Sequence, residues 1–238
     1  MKTTTRQGST SPSNQDFDNH PNPIDRNRSI LWARYLADSK NWIVVSTKET
    51  TISPDDNSPE STILSVCVMD ADGKVVYEAL VKPEGIVSNE AIAVHDLETS
   101  TLFNAQPYSV IRQTLVKLIS GNDVLSWDFD TQRTVFEKLD RKHNMPPHEW
   151  RGNSVSHQYA RFLGQRESEK PGYVMPELQT EGESARASNK AVCSIVMEMA
   201  GSSQFSDPLA SGKPGWTAEF YRPKLTAGEK LKNLFNRK

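Results

Sequence analysis

A chain of 238 residues with a formal net charge of −2 has room for one sizeable domain with tails. Its near-neutral balance excludes the global basic field that many nucleic-acid binders carry, so contact with a polyanion must use a local patch. The two cysteines, Cys67 and Cys193, each sit in an apolar run, which reads as buried thiols rather than a disulfide framework. No stretch is apolar for long enough to span a bilayer, and the amino terminus has no apolar signal-peptide core. A reducing, cytoplasmic setting is the expectation.

Residues 1–22 are rich in Thr, Ser, Asn, Gln, Asp and Pro. They cannot bury enough apolar surface to offset the entropy of ordering, so a disordered tail is expected. From Pro23 the pattern changes: Ile30, Leu31, Ala33, Tyr35 and Leu36 recur at helical spacing, with Ser29 as candidate cap. The run Ile43 to Val45 after Trp42 is apolar and β-branched and reads as a buried strand. It ends abruptly in Ser46-Thr47-Lys48-Glu49-Thr50-Thr51. Polar side chains at the carboxyl end of a central strand are where α/β sheets place their chemistry.

Pro54 to Ser61 is polar and turn-forming, and Ser61 to Met69 is a second strand. Asp70-Ala71-Asp72-Gly73 signals a hairpin turn into a third strand, Lys74 to Val81, ended by Pro83. Pro107 to Ser120 reads as an amphipathic helix with Val110, Ile111, Leu115, Leu118 and Ile119 on one side, stopped by Gly121-Asn122. Asp123 to Ser126 is a short strand, and a helix follows from Phe129 to Lys142, with Pro146-Pro147 beyond it. Ser154 to Leu163 is a further helix and Gln165 to Glu183 is loop-like. Ser188 to Ala200 is a closing helix with Val192, Ile195, Val196 and Met199 inward.

Three strands, then helix, strand, helix and more helices, is the order of a ribonuclease H-like fold. It is an α/β fold, a mixed five-stranded sheet with helices on both faces. The expected layout is the tail at 1–22, this domain at 23–201, and a linker with a basic amphipathic helix at 202–238. Several segments between Asn41 and Gly201 carry a family resemblance. The stretch Trp42 to Thr51 resembles the first motif of the DEDDh-type 3'–5' exonucleases, which reads Asp-x-Glu. Val81-Lys82-Pro83 followed by Ala91 to Leu97, Ala105-Gln106-Pro107, Ser126-Trp127-Asp128-Phe129-Asp130, Tyr159 to Gly164, and Gly172-Tyr173 with Leu178 resemble later landmarks of that family, in order.

The resemblance implies a two-metal mechanism. Four carboxylates hold two magnesium-type ions, and a histidine acts as general base. The residues here depart from that set. Counted without a gap, the first Asp falls on Ser46 and the Glu on Lys48; shifted by one, they fall on Thr47 and Glu49. Asp130 keeps the third position. The closing Asp falls on Ser188 and the histidine on Glu183. The surviving metal candidates are Glu49 and Asp130. In the ungapped register the Lys48 ammonium is placed to pair with Asp130 in the stead of a metal, although a solvated strand-end lysine is an equal reading. Glu183 is a poor base at neutral pH, with a reference pKa near ~4.3.

Asp70 and Asp72 read as turn residues rather than calcium ligands, and His143 and His148 as loop histidines. At the carboxyl end, the aromatic segment Gly215 to Pro223 reads as an anchor docked on the domain. Thr226-Ala-Gly-Glu229 fits a capping box. Beyond it Leu231, Leu234 and Phe235 share one face, among Lys230, Lys232, Arg237 and Lys238. These four cations are the candidate phosphate contacts, against the plainer reading of a solvated helix end.

The expectation is an exonuclease-family domain that has lost catalysis and serves as a nucleic-acid-binding or protein-interaction module. Single-stranded DNA or RNA, or a protein met by the carboxyl-terminal helix, would be its partner, with no cofactor. The rival is a weak metal-dependent 3'–5' exonuclease using Glu49, Asp130, Glu183 and Asp128 with Mg or Mn. A third reading is an interaction protein that no longer touches nucleic acid.

Overall fold

The computed structural model describes residues 20–49, 63–83, 87, 92, 99–167 and 171–202. The tail up to residue 19, most of the Ala91 to Leu97 segment, the Gly215 to Pro223 anchor and the basic helix with Lys230, Lys232, Arg237 and Lys238 lie outside the described residues.

Helix α1 spans Pro23–Ser39. Its cap is Asn22, not Ser29: the Asn22 side chain accepts from the Asp25 amide, and proline occupies the first turn. Asn before Pro, with an acidic residue in the first turn, is the stronger start signal. Ser29 lies inside the helix, fully buried, and donates to the Asp25 carbonyl.

Strand β1 is Trp42–Glu49, β2 is Ile63–Asp70 and β3 is Val75–Leu80. The β2–β3 turn places Gly73 at φ 78°, a left-handed conformation that favours glycine. Asp70 Oδ1 accepts from the amides of Asp72 and Lys74, and Asp72 pairs with Lys40. Both carboxylates are therefore engaged in holding the turn.

Helix α2 is Thr99–Phe103, α3 is Tyr108–Ile119, β4 is Asp123–Ser126 and α4 is Phe129–Lys142. Strand β5 is Asn153–Ser154, α5 is Val155–Leu163 and α6 is Ala185–Gly201. The closing helix starts three residues before the expected Ser188, because the Ser184 hydroxyl caps it by accepting from the Ala187 amide at 3.1 Å.

The described strands form one five-stranded sheet in the order β3-β2-β1-β4-β5. β1 is antiparallel to β2 and parallel to β4; β2 and β3 are antiparallel, and β4 and β5 parallel. Helices cover both faces. Ile43 and Val45 pack with Tyr108, Ile111 and Leu115 of α3 and Phe136 and Leu139 of α4. Trp42 and Val44 pack with Ile30 and Leu36 of α1, Phe162 of α5 and Val192, Val196 and Met199 of α6. This two-sided burial is why β1 opens as a continuous apolar run instead of alternating.

Between α3 and α4 lies a buried polar cluster. The Asp140 carboxylate accepts from the Tyr108 hydroxyl at 2.8 Å, Arg112 Nε at 3.1 Å, Arg112 Nη2 at 3.3 Å and Trp150 Nε1 at 3.3 Å. Arg112 Nη2 also donates to the Pro146 carbonyl at 2.6 Å. Burial first, then the Asp140 carboxylate, pushes the Tyr108 hydroxyl pKa upward. The cluster ties both helices to the loop that leads into β5.

Candidate functional site

The site is defined by the alternation of side chains along β1. Trp42 and Val44 belong to the α6 side of the sheet, Ile43 and Val45 to the α4 side. With a period of two, Ser46 and Lys48 follow the α6 side and Thr47 the α4 side. One side-chain partner agrees. Thr47 Oγ1 accepts from Gln132 Nε2 of α4 at 2.7 Å. The alternation thus puts Ser46 and Lys48, of the ungapped register, on the α6 side. It places Thr47, of the shifted register, on the other face.

Ser46 and Ser188 are 7% and 8% exposed, whereas Lys48 is half-buried and Glu183 exposed. Burial lowers the Lys48 pKa and the Glu183 carboxylate raises it in part. The Ser188 hydroxyl donates to the Ser184 carbonyl within α6. Two more side chains anchor this corner. Ser126 Oγ of β4 donates to the Val45 carbonyl at 2.7 Å. Asn189, fully buried, donates through Nδ2 to the carbonyls of Val44 at 3.2 Å and Cys67 at 2.9 Å. One amide therefore staples α6 across β1 and β2, beside Ser188. Asn189 lies one turn before Val192 on the inward side of α6, and a lone polar residue on an apolar helix face was the signal for it.

The two aspartates of the Ser126 to Asp130 motif make local contacts within α4. Asp128 caps α4, accepting from the Thr131 amide at 3.2 Å and its hydroxyl at 2.8 Å. Asp130 is 64% exposed and pairs with Arg133 at 3.0 Å. It lines an open recess of about 440 Å³ with Arg133, Glu137 and His148 to Gly152. Gln132, which reaches Thr47, lies two residues on, about 200° around the helix. Of the two readings of Lys48, the pairing with Asp130 is not the one found: Asp130 pairs with Arg133.

Glu49 ends β1, opposite an irregularity in the β1–β2 pairing. His143 follows α4 and packs on Tyr108. His148 stands edge-on to Trp150 with its pKa lowered by burial. His20 accepts from the Asn22 amide and bonds the Arg161 carbonyl. Burial also raises the thiol pKa values, to about 11 at Cys67 and about 12 at Cys193.

Among the described residues, no group of three or more His, Cys, Asp or Glu side chains is placed to hold a metal. The cluster at the end of β1 does not fit a magnesium-type pair. It offers two neutral hydroxyls, an ammonium and one carboxylate, that of Glu183, where such ions need several anionic oxygens. No described helix is long and apolar enough to cross a membrane.

One solved nuclease domain shares this fold, and others are similar at lower scores. The nuclease domain of 3'hExo, a DEDDh family member bound to rAMP, superposes with a TM-score of 0.52 at 12% identity, over 66% of this chain and 90% of that one. A 3'-exonuclease described in 3'-end specific recognition of a histone mRNA stem-loop gives a TM-score of 0.40 at 11% identity, over 66% and 63%. Cell-death related nuclease 4 gives 0.36 at 10% identity, over 66% and 62%. The chain thus spans less than two thirds of the length of these last two. No protein-family model and no curated protein matches the sequence. The fold is therefore the ribonuclease H-like α/β fold of DEDDh exonuclease domains.

Proposed function

We propose that residues 23–201 form an exonuclease-type domain whose catalytic centre has been replaced, and that it acts as a nucleic-acid-binding module for single strands. The observation that carries this reading is the face of β1 turned to α6. By the alternation of β1, Ser46 and Lys48 fall on that face, toward the amino-terminal turn of α6 that carries Ser188. A pair of hard cations is poorly held by two hydroxyls, an ammonium and a single carboxylate, and without the ions no water is activated between them. Asp130, kept at its family position, is engaged by Arg133 instead.

The weak-exonuclease rival requires Glu49, Asp128, Asp130 and Glu183 to converge. Against it stand the capping bonds of Asp128 and the ion pair of Asp130. In the proposed module, Lys230, Lys232, Arg237 and Lys238 of the carboxyl-terminal segment add phosphate contacts, the sequence-independent part of such binding.

The test is a melting series in magnesium and manganese. A specific ion that binds only the folded state must raise Tm in a saturable way. Millimolar ion is expected to leave Tm essentially unchanged. A saturable rise that vanishes in Asp130→Ala would overturn the proposal.

A further inference from the structure

We infer that a groove along the outer side of α6 is the docking site of this chain's own carboxyl-terminal segment, Thr226 to Lys238. The contact goes beyond the nucleic-acid reading and needs no nucleic acid to form.

The open groove has a volume of about 750 Å³. It is lined by α6 from Ser184 to Glu198, by Tyr159 of α5, and by Glu177 and Glu181 of the loop before α6. None of Ser46, Lys48, Glu183 and Ser188 lines it. Part of the lining is apolar. Ala187, Ala191 and Ile195 follow one another a turn apart along α6, half-buried, with Tyr159 and Ile195 at the margin of the core. The inward side of the same helix is already used, since Val192, Val196 and Met199 pack on the sheet.

The rim is acidic: Glu177, Glu181 and Glu198 are exposed. Of the two cations beside them, Arg186 is held in a two-pronged pair by Glu78 of β3. That leaves Lys190 against three carboxylates.

The chain itself carries a segment that fits. Read from sequence as a helix, Thr226 to Lys238 puts Leu231, Leu234 and Phe235 on one face. Lys230 and Arg237 fall along one flank of that face and Lys232 along the other. The apolar face matches the lining, and the flanking cations match the acids. The lengths agree: about 20 Å for Thr226 to Lys238 as a helix, and about 21 Å for Ser184 to Glu198.

The segment is also within reach. The described chain ends at Ser202, just past Glu198, where its carbonyl accepts from Arg34 of α1. A coil of the length of residues 203–225 has an r.m.s. reach of about 25–30 Å, comparable to the groove. Tethering of this kind gives an effective concentration on the order of millimolar. The tethered segment therefore outcompetes a separate partner of similar affinity present at lower concentration.

The experiment is zero-length carbodiimide cross-linking of the full chain at low micromolar concentration. Linked peptides are identified by mass spectrometry in the band of single-chain mass. Lys230 and Lys232 are expected to link to Glu177, Glu181 or Glu198, with a yield independent of dilution. The triple change Leu231→Gln, Leu234→Gln and Phe235→Gln keeps every cation and alters no residue of the described domain. It should cut the yield roughly tenfold or more. Ala191→Arg, which fills the groove from the α6 side, should do the same while melting as the parent does.

Links from Lys230 and Lys232 to acids elsewhere, a yield unchanged by either variant, or no link at all would overturn the inference. Links found only between two chains, at a yield that rises with concentration, would overturn it as well, by making a second copy the occupant.

Discussion

Replacing Arg112 with alanine should cost the domain about 3–5 kcal/mol, the range for breaking a buried ion pair from one side. The geometry sets the size. The side chains of Arg112 and Asp140 are 9% and 7% exposed and meet at 3.1 Å. Arginine supplies two of the four hydrogen bonds that the Asp140 carboxylate receives, and all of its countercharge within the cluster. Alanine would leave that carboxylate among Tyr108, Phe136 and Trp150 with only a hydroxyl and an indole donor. It would also release the Pro146 carbonyl. The pair Arg133–Asp130 is the internal control. Its side chains are 42% and 64% exposed, so Arg133→Ala should change stability by about 0–1 kcal/mol.

The assay is urea denaturation followed by tryptophan fluorescence, with Trp150 stacked on Phe136 as a nearby reporter. The midpoint should fall and the slope m stay constant. The double change Arg112→Met with Asp140→Leu should recover most of the loss, because it removes the stranded charge. A cost below about 1 kcal/mol for Arg112→Ala, or a double variant as unstable as the single one, would refute the reasoning.

Asn189→Ala should destabilise by about 1–3 kcal/mol, since two buried carbonyls lose a shared donor; a denaturation midpoint equal to that of the parent would contradict this. His20 carries a pH dependence. Its Nδ1 accepts from the Asn22 amide while Nε2 bonds the Arg161 carbonyl, so the folded ring is neutral. Burial, helped by Arg26, lowers its pKa below 6.5. The unfolded chain therefore takes up the proton first as pH falls. The stability this ring contributes is complete above pH 6.5 and is lost as pH falls through the folded value. The stability difference between parent and His20→Gln should shrink in that window. A difference independent of pH from about 5 to 7 would contradict it.

Sequence made some parts of this fold plain and left others unreadable, for physical reasons. The core spacing of α3 and α4, and the Gly121-Asn122 stop, placed both helices and β4 between them, because period and stop signals are local. The start of α1 was misplaced because Ser29 imitates a cap; its hydroxyl satisfies a carbonyl one turn back, inside the helix. Strand β5 is two residues long and exists only through pairing with Leu125 and Ser126, so no local pattern announces it. At the site, the residues at the family's positions were readable, but their facing was not. Asp130 keeps its place in the chain, and only the rotation of α4 shows it turned toward Arg133. The burial of Lys48 is likewise tertiary, since no local pattern at the end of a strand fixes it.

The central claim is that this face of the sheet no longer does metal-assisted chemistry. It is tested most directly by following nucleotide release from the 3' ends of single-stranded DNA and RNA with magnesium or manganese present. The account predicts no metal-dependent release. Single reversions such as Ser188→Asp should not restore it, because ligands and water activation act as one unit. Metal-dependent release by the parent that is abolished in Asp130→Ala would contradict the account and establish the weak exonuclease in its place.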